Sequence, residues 1–127
     1  MSKSILLAAV ISTITIGLHV YGGGIEVHEP ILDANLTTIL KAYTSILWHA
    51  VTVILVINST GLFLAAFKPL QLKNLSLLIS IQYLAFAGLF IFYGLSQLGT
   101  LLLMPQWIIF ICMSALISFG IWRQKTS

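Results

Sequence analysis

Residues 43–67 read YTSILWHAVTVILVINSTGLFLAAF and contain no charged side chain. About 20 apolar residues in a helix cross the hydrocarbon core of a bilayer, so this stretch predicts a transmembrane span. Three further apolar stretches, at about 4–21, 75–95 and 101–122, satisfy the same criterion. Lipid offers no partners to backbone N–H and C=O groups, and the chain is too short for a closed barrel, so each span must be a helix.

The composition agrees with this interpretation. Of the 127 residues, 59% are hydrophobic and 7% are charged, whereas soluble domains carry roughly a quarter charged residues. Six basic residues scattered along the chain form no patch for nucleic acid. We therefore predict that residues 1–127 form one all-α integral membrane domain, a four-helix bundle of up-down-up-down topology with the lipid bilayer as its partner.

The charges predict the orientation of the spans. Five of the six basic residues fall on one side of the alternating path, and all three acidic residues fall on the other side. The basic residues on the first side are Lys3, Lys68, Lys73, Arg123 and Lys125. The second side carries the acidic residues Glu26, Glu29 and Asp33, with the sixth basic residue, Lys41. The positive-inside rule then predicts a multi-pass protein of the bacterial inner membrane with both termini cytoplasmic.

The segment after the first span is predicted to be a loop. Gly22-Gly23-Gly24 is expected to end the helix and to begin a flexible outer loop over residues 22–42. The apolar Ile31 and Leu32 predict that this loop folds back over the bundle. The alternative that span 1 is a cleaved signal peptide is disfavoured, because the bulky run Leu18-His19-Val20-Tyr21 suits cleavage poorly.

Small and hydroxyl residues recur at intervals of three or four along each span. Such stripes favour close helix packing in lipid, with hydroxyls bonded between helices. Gly61 and Ala65 form one further pair, expected to pack within the bundle or against a partner. A polar stripe also fits a path through a small oligomeric transporter or channel, although no charged residue lies deep in any span.

The histidines form the one group of side chains in the sequence that suggests a functional site. His19 and His49 lie near the outer ends of spans 1 and 2 and are expected at similar depth, about 5–10 Å below the outer surface, where they can face each other. His28 lies between Glu26 and Glu29 in the connecting segment. Alternatively, His19 snorkels to the interface or bonds to a hydroxyl, His49 bonds to span 1 or span 3, and His28 is solvated.

These residues predict two kinds of site. His19, His28 and His49 with Glu26 and Glu29 provide imidazole and carboxylate ligands for a transition metal. His19 and His49 alone provide axial ligands for haem b. A third interpretation is proton handling or quinone contact by His49 beside Trp48. The spacings match no specific metal motif, and the sequence has no nucleophile–base pair, phosphate loop or deep carboxylate that would indicate an enzyme.

Short motifs complete the pattern: His28-Glu29-Pro30, Trp48-His49-Ala50 and Pro105-Gln106-Trp107, together with His19. The layout resembles small four-span bacterial membrane proteins of uncharacterised function, a resemblance that implies no activity. It is also similar to the haem-carrying anchor subunits of respiratory complexes, although those typically have three spans. The sequence thus predicts a non-enzymatic binding or accessory subunit, acting with a membrane-protein partner or as a homo-oligomer, or else a metal- or haem-binding redox protein.

Overall fold

The computed structural model describes residues 1–125, which contain helices and no β-strand. A first long helix combines three segments: α1 (Lys3–Gly17), a π-helical segment, π1 (Leu18–His28), and α2 (Glu29–Asp33). After a short turn come α3 (Thr38–Phe67), α4 (Lys73–Leu98) and α5 (Gln106–Lys125).

Four of these helices are long and apolar enough to cross a membrane. They are Lys3–Asp33, α3, α4 and residues Gln106–Gln124 of the last helix. The predicted all-α four-helix bundle is therefore confirmed, and the chain has the character of a multi-pass membrane protein. The last helix begins directly after Pro105, consistent with the tolerance of proline at a helix start.

The four long helices form a closed ring of neighbours. The first helix packs against α3 and α5, and α4 packs against α5 and α3. The first helix and α4 therefore lie diagonally across the bundle. We call the end where α1 begins and α5 ends the terminal end of the bundle.

On the first helix and α3, the core is confined to the part nearer the terminal end. On α1 the buried residues run from Ile5 to Thr15, and on α3 they begin only at Leu55. Between residues 16 and 54, all of which the structure describes, no residue is buried. This stretch forms a two-helix arm, defined as residues 16–54, in which π1 lies against the first half of α3.

Hydrogen bonds between side chains connect the helices through the core. Ser12 and Tyr83, both fully buried, share one of 2.6 Å that links α1 to α4 across the diagonal. Three further bonds link neighbouring helices: Thr13 with Ser59 (2.7 Å), Asn58 with Gln82 (2.9 Å) and Ser80 with Ser114 (2.7 Å). Because these polar groups bond to one another, the geometry supports the packing interpretation of the polar stripes.

Glycines set the closest contacts between helices. A Cβ on Gly120 of α5 would lie 2.7 Å from Cγ1 of Ile5 and 2.9 Å from the hydroxyl oxygen of Ser2. A Cβ on Gly61 would likewise lie 3.2 Å from Cδ1 of Ile79 and 3.4 Å from Cδ2 of Leu75, both on α4. Of the two alternatives for Gly61 and Ala65, packing within the bundle is therefore the one observed.

The prediction of an outer loop over residues 22–42 is wrong. Gly22-Gly23-Gly24 does not end the first helix, which continues in π geometry to His28 and in α geometry to Asp33. The connection to α3 is therefore only residues 34–37, and Ile31 and Leu32 lie in α2 rather than in a loop folded over the bundle. The physical reason is that a helix satisfies its backbone groups internally, and this requirement outweighs the weak intrinsic preference of glycine against helix.

We expect Tyr83→Phe to destabilise the bundle by about 0.6–1.7 kcal/mol, the range for hydrogen bonds between helices in lipid. Removing the phenolic hydroxyl leaves the buried hydroxyl of Ser12 without its partner across the diagonal. Equilibrium unfolding in mixed detergent measures the change. Tyr93→Phe is the control, because Tyr93 on the same helix is 50% exposed; an equal loss in both variants would contradict the assigned role of the Ser12–Tyr83 bond.

Candidate functional site: a histidine–tryptophan cluster on the two-helix arm

The π1 segment decides which way two of the histidines face. Nine residues separate His19 from His28. At 3.6 residues per turn this makes about two and a half turns of α-helix, which would place the two side chains on opposite faces. Hydrogen bonding from i to i+5 widens the turn to between four and five residues, so nine residues make about two turns. His19 and His28 therefore project from the same face.

The indole of Trp48 on α3 is stacked against both imidazoles. Its ring centroid lies 4.1 Å from that of His19, with 19° between the planes, and 5.2 Å from that of His28, with 1° between the planes. Since the histidines stand two turns apart on one helix, the indole lies in the slot between them. Such aromatic stacking stabilises a contact by about 0.5–1.5 kcal/mol beyond its buried area.

Gly23 forms the floor of this slot. It stands between His19 and His28 in sequence, and a Cβ on it would lie 2.8 Å from Cη2 of Trp48. Gly22 and Gly24 have no atom within 4 Å of the corresponding position. Of the three consecutive glycines, Gly23 is thus the one that the indole requires.

Hydrogen bonds fix the two imidazoles beside the indole. Nε2 of His19 donates to the backbone carbonyl of Trp48 at 3.3 Å, which assigns the proton to that nitrogen. Nε2 of His28 shares a hydrogen bond of 3.1 Å with the hydroxyl of Ser45, one turn before Trp48 on α3. The two helices of the arm are therefore joined by one stacked tryptophan and by two histidines that bond to successive turns of α3.

His49 is the most accessible member of the cluster. It is exposed, and its ring stands edge-on to that of His28, with 5.6 Å between the centroids and 79° between the planes. The structure thus pairs His49 with His28, and His19 with Trp48. The facing pair His19–His49, on which the haem prediction depends, is not among the ring contacts of the described residues. We call His19, His28, Trp48 and His49 the histidine–tryptophan cluster.

The carboxylates lie outside this cluster. Glu26 on π1 and Glu29 at the start of α2 are both exposed. Within residues 1–125, no group of three or more His, Cys, Asp or Glu side chains is placed to hold a metal ion. This includes the predicted set of His19, His28 and His49 with Glu26 and Glu29, so a metal ion at this end would have at most two of these side chains as ligands.

The space between His19 and His28 is filled by the indole, so this pair does not offer two faces to a porphyrin. His28 and His49 are neighbours, but an edge-to-face contact does not direct two nitrogens along one axis. The geometry thus favours small ligands, or a surface that contacts the outer rings, over haem.

Comparisons of this chain with protein-family models, with curated proteins and with solved structures found no match. The resemblance to small four-span bacterial proteins therefore stays a prediction.

Sequence reasoning found three of the four residues of the cluster and missed the role of the fourth. The sequence shows Trp48 beside His49, but gives no sign that His19 and His28 enclose its ring. The signal was present in the spacing, because His19, Gly23 and His28 follow the i, i+4, i+9 pattern of a wide helix. It is informative only once a π-helix is expected, and π-helices account for well under 1% of residues.

We predict opposite effects of alanine at adjacent glycines. Gly23→Ala should destabilise the arm by about 1–3 kcal/mol, the usual cost of an overpacked contact, because its Cβ displaces the indole. Gly22→Ala meets no atom and should be neutral or stabilising by up to about 1 kcal/mol, since alanine favours helix. Thermal unfolding in detergent, followed by circular dichroism, measures both changes. Equal effects of the two variants would refute the slot.

Proposed function

We propose that this chain is a small multi-pass protein of the bacterial inner membrane that acts as a non-enzymatic binding or accessory subunit through its two-helix arm. The observation that carries the proposal is the placement of the histidine–tryptophan cluster on the part of the chain that has no buried residue. Rings in this position remain available to a ligand or a partner. The excess of basic residues at the terminal end supports cytoplasmic termini and an arm on the outer side.

The π1 geometry supports a functional role for the arm. An α-helix would satisfy the same backbone groups, and π turns are rare and frequently found at functional sites. Here the π geometry extends over Leu18–His28 and coincides with two of the three histidines of the chain. A packing role alone would be served by an ordinary apolar pair at this position. The chain instead presents polar rings around a tryptophan.

Site-specific photo-crosslinking in native membranes tests the proposal. A photoreactive residue replaces Tyr21 or Tyr43 on the arm, which are 76% and 58% exposed. Controls replace Leu89 or Phe92, which are 55% and 62% exposed in the second half of α4, outside the arm. We expect a discrete protein adduct at the arm positions only, and we expect it to disappear when Trp48→Ala opens the slot.

Two outcomes of the crosslinking experiment would contradict the proposal. Lipid adducts alone at all four positions would mean that the arm faces only the bilayer. Protein adducts of equal yield at Leu89 and Phe92 would mean that the arm is not the binding surface. Either outcome would overturn the proposal of an arm that binds a partner protein.

A second candidate function is binding of a transition-metal ion, with redox chemistry if the metal is copper or iron. It is favoured by the 5.6 Å between the ring centroids of His28 and His49. With metal–nitrogen bonds of about 2.0 Å, two imidazoles that share a tetrahedral ion have centroids roughly 5 Å apart. A modest rotation of the exposed His49 ring would direct a nitrogen towards an ion shared with His28.

Phenylalanine variants separate ligation from stacking. His28→Phe and His49→Phe keep a ring in place but remove the nitrogens, so each should abolish stoichiometric zinc or copper binding measured by titration and elemental analysis. His19→Phe is the matched control and should retain the metal, because the indole of Trp48 separates His19 from His28. Absence of bound metal in the unmodified protein, or equal loss in all three variants, would rule out the His28–His49 site. A Soret band lost in His49→Phe would indicate haem instead.

A further inference from the structure

The face of α3 that α4 covers in the core continues outward into the arm. In the core, Asn58 donates to Gln82 of α4 at 2.9 Å, and Gly61 lies against Ile79 of α4. Residues recur from these two positions at intervals of alternately three and four, which is the heptad spacing of packed helices. They are Leu40, Thr44, Leu47, Val51, Ile54, Asn58, Gly61 and Ala65. A straight helix drifts by only about 20° per heptad, so these residues share one face. We call the first five of them the α3 seam.

The α3 seam is uncovered, whereas its continuation towards the terminal end is buried. Asn58, Gly61 and Ala65 are all buried in the core. No residue of the seam is buried, and Leu47 in its middle is 67% exposed. One face of α3 is thus packed against a helix in its second half and lacks a covering helix of the described chain in its first half.

The outer half of α4 is held on α5 rather than on the arm. Beyond Gln82, which is level with Asn58, α4 continues for about 24 Å and so has the length to reach most of the seam. Its Phe86 and Phe90 instead lie against Phe110 of α5, with ring centroids 5.4 and 5.9 Å apart. These aromatic contacts keep α4 on α5 and leave the α3 seam open to a helix from outside the chain.

The residue types of the α3 seam favour a second copy of the same helix. Thr44 and Val51 fall at a positions of the heptad, and Leu40 and Leu47 fall at d positions, with Ile54 the one exception. β-Branched residues at a with leucine at d favour parallel pairs of helices over larger assemblies. Two copies that share one orientation in a bilayer present α3 in parallel, so each copy supplies the seam that matches the other.

The charges of the arm do not oppose such a pair. Glu26, Glu29 and Asp33 all lie on the first long helix and not on α3. A full helix diameter, about 10 Å, separates that helix from the seam, which exceeds the Debye length of about 8 Å at physiological salt. Lys41 is the single basic residue on this half of α3, and it falls at an e position beside the seam.

We propose that two copies of this chain pair in parallel along the α3 seam, about a two-fold axis along the membrane normal. The pair rests on the proposed function, since it names a second copy as the partner of the arm. Beyond Ile54, towards the terminal end, each α3 keeps its own α4, so the contact is confined to the arms. Two arms together form the four-helix arrangement that a single arm lacks. Because the bilayer already enforces the helices, the short seam has only to associate them.

Disulfide trapping of the full-length protein in liposomes tests the pair. Cys112, the one cysteine of the chain, is first replaced by alanine because it is exposed. Leu47→Cys should then form a covalent dimer on mild oxidation, since residues at a d position face each other across the axis. Ile46→Cys is the matched control, because Ile46 is 63% exposed on the opposite face of the same turn. Its dimer yield should be lower by roughly fivefold or more, as a disulfide requires Cα atoms within about 7 Å.

Alanine variants measure the strength of the pair without a disulfide. Energy transfer between labelled copies is followed as lipid dilutes the protein. Leu40→Ala combined with Leu47→Ala should raise the dissociation constant by roughly tenfold or more, because packing drives helix association in lipid. Ile46→Ala combined with Val53→Ala removes apolar side chains from the opposite face, and should change it by no more than about twofold. Circular dichroism verifies that the variants stay helical, and Leu40→Cys, at the preceding d position, replaces Leu47→Cys if that variant does not.

The outcomes separate the second copy from other partners of the arm. Equal disulfide yields at Leu47→Cys and Ile46→Cys, or equal weakening in both alanine pairs, overturn the parallel pair. Photo-adducts at Tyr43 that contain a different protein, without a disulfide at Leu47→Cys, overturn the second copy but leave the arm as a binding surface. Lipid adducts alone at Tyr43 overturn both proposals.

Discussion

The absence of hydrogen-bond partners in lipid is the constraint on which the rest of this structure depends. A backbone that leaves the helix inside a bilayer exposes N–H and C=O groups at a cost of several kcal/mol each. The first long helix therefore continues through three glycines that would end many helices in water. What changes there is the pattern of hydrogen bonds, from i+4 to i+5, which keeps each group paired while widening the turn.

That widened turn couples backbone geometry to side-chain chemistry. It directs His19 and His28 to the same face and leaves a slot between them that is lined by Gly23. Trp48 enters the slot from α3, and so the two helices of the arm are joined without any buried apolar core of their own. Nearer the terminal end the same two helices are joined differently, by small residues and by the Thr13–Ser59 hydrogen bond.

The two ends of the bundle consequently differ in chemistry. The arm carries the histidines and the acidic residues, and the terminal end carries a groove with Lys3 and Arg123. The core between them contains hydroxyls and amides that bond to one another, Ser12 with Tyr83 being the most buried pair. The binding role proposed above depends on this difference.

The sequence by itself determined the four spans, their helical state and the grouping of the histidines, because apolar length and charge placement act locally and need no knowledge of neighbours. Of the hydroxyl residues that recur along the spans, Ser12, Ser59, Ser80 and Ser114 are buried, whereas Thr60 and Ser118 are exposed, so the recurrence indicated only part of the packed surface. Only the tertiary structure decided that Gly22-Gly23-Gly24 stays helical, that His28 is half-buried in a helix and that Trp48 separates His19 from His28. These features depend on an indole from another helix entering one turn of π1, a contact between residues 25 positions apart that no local pattern encodes.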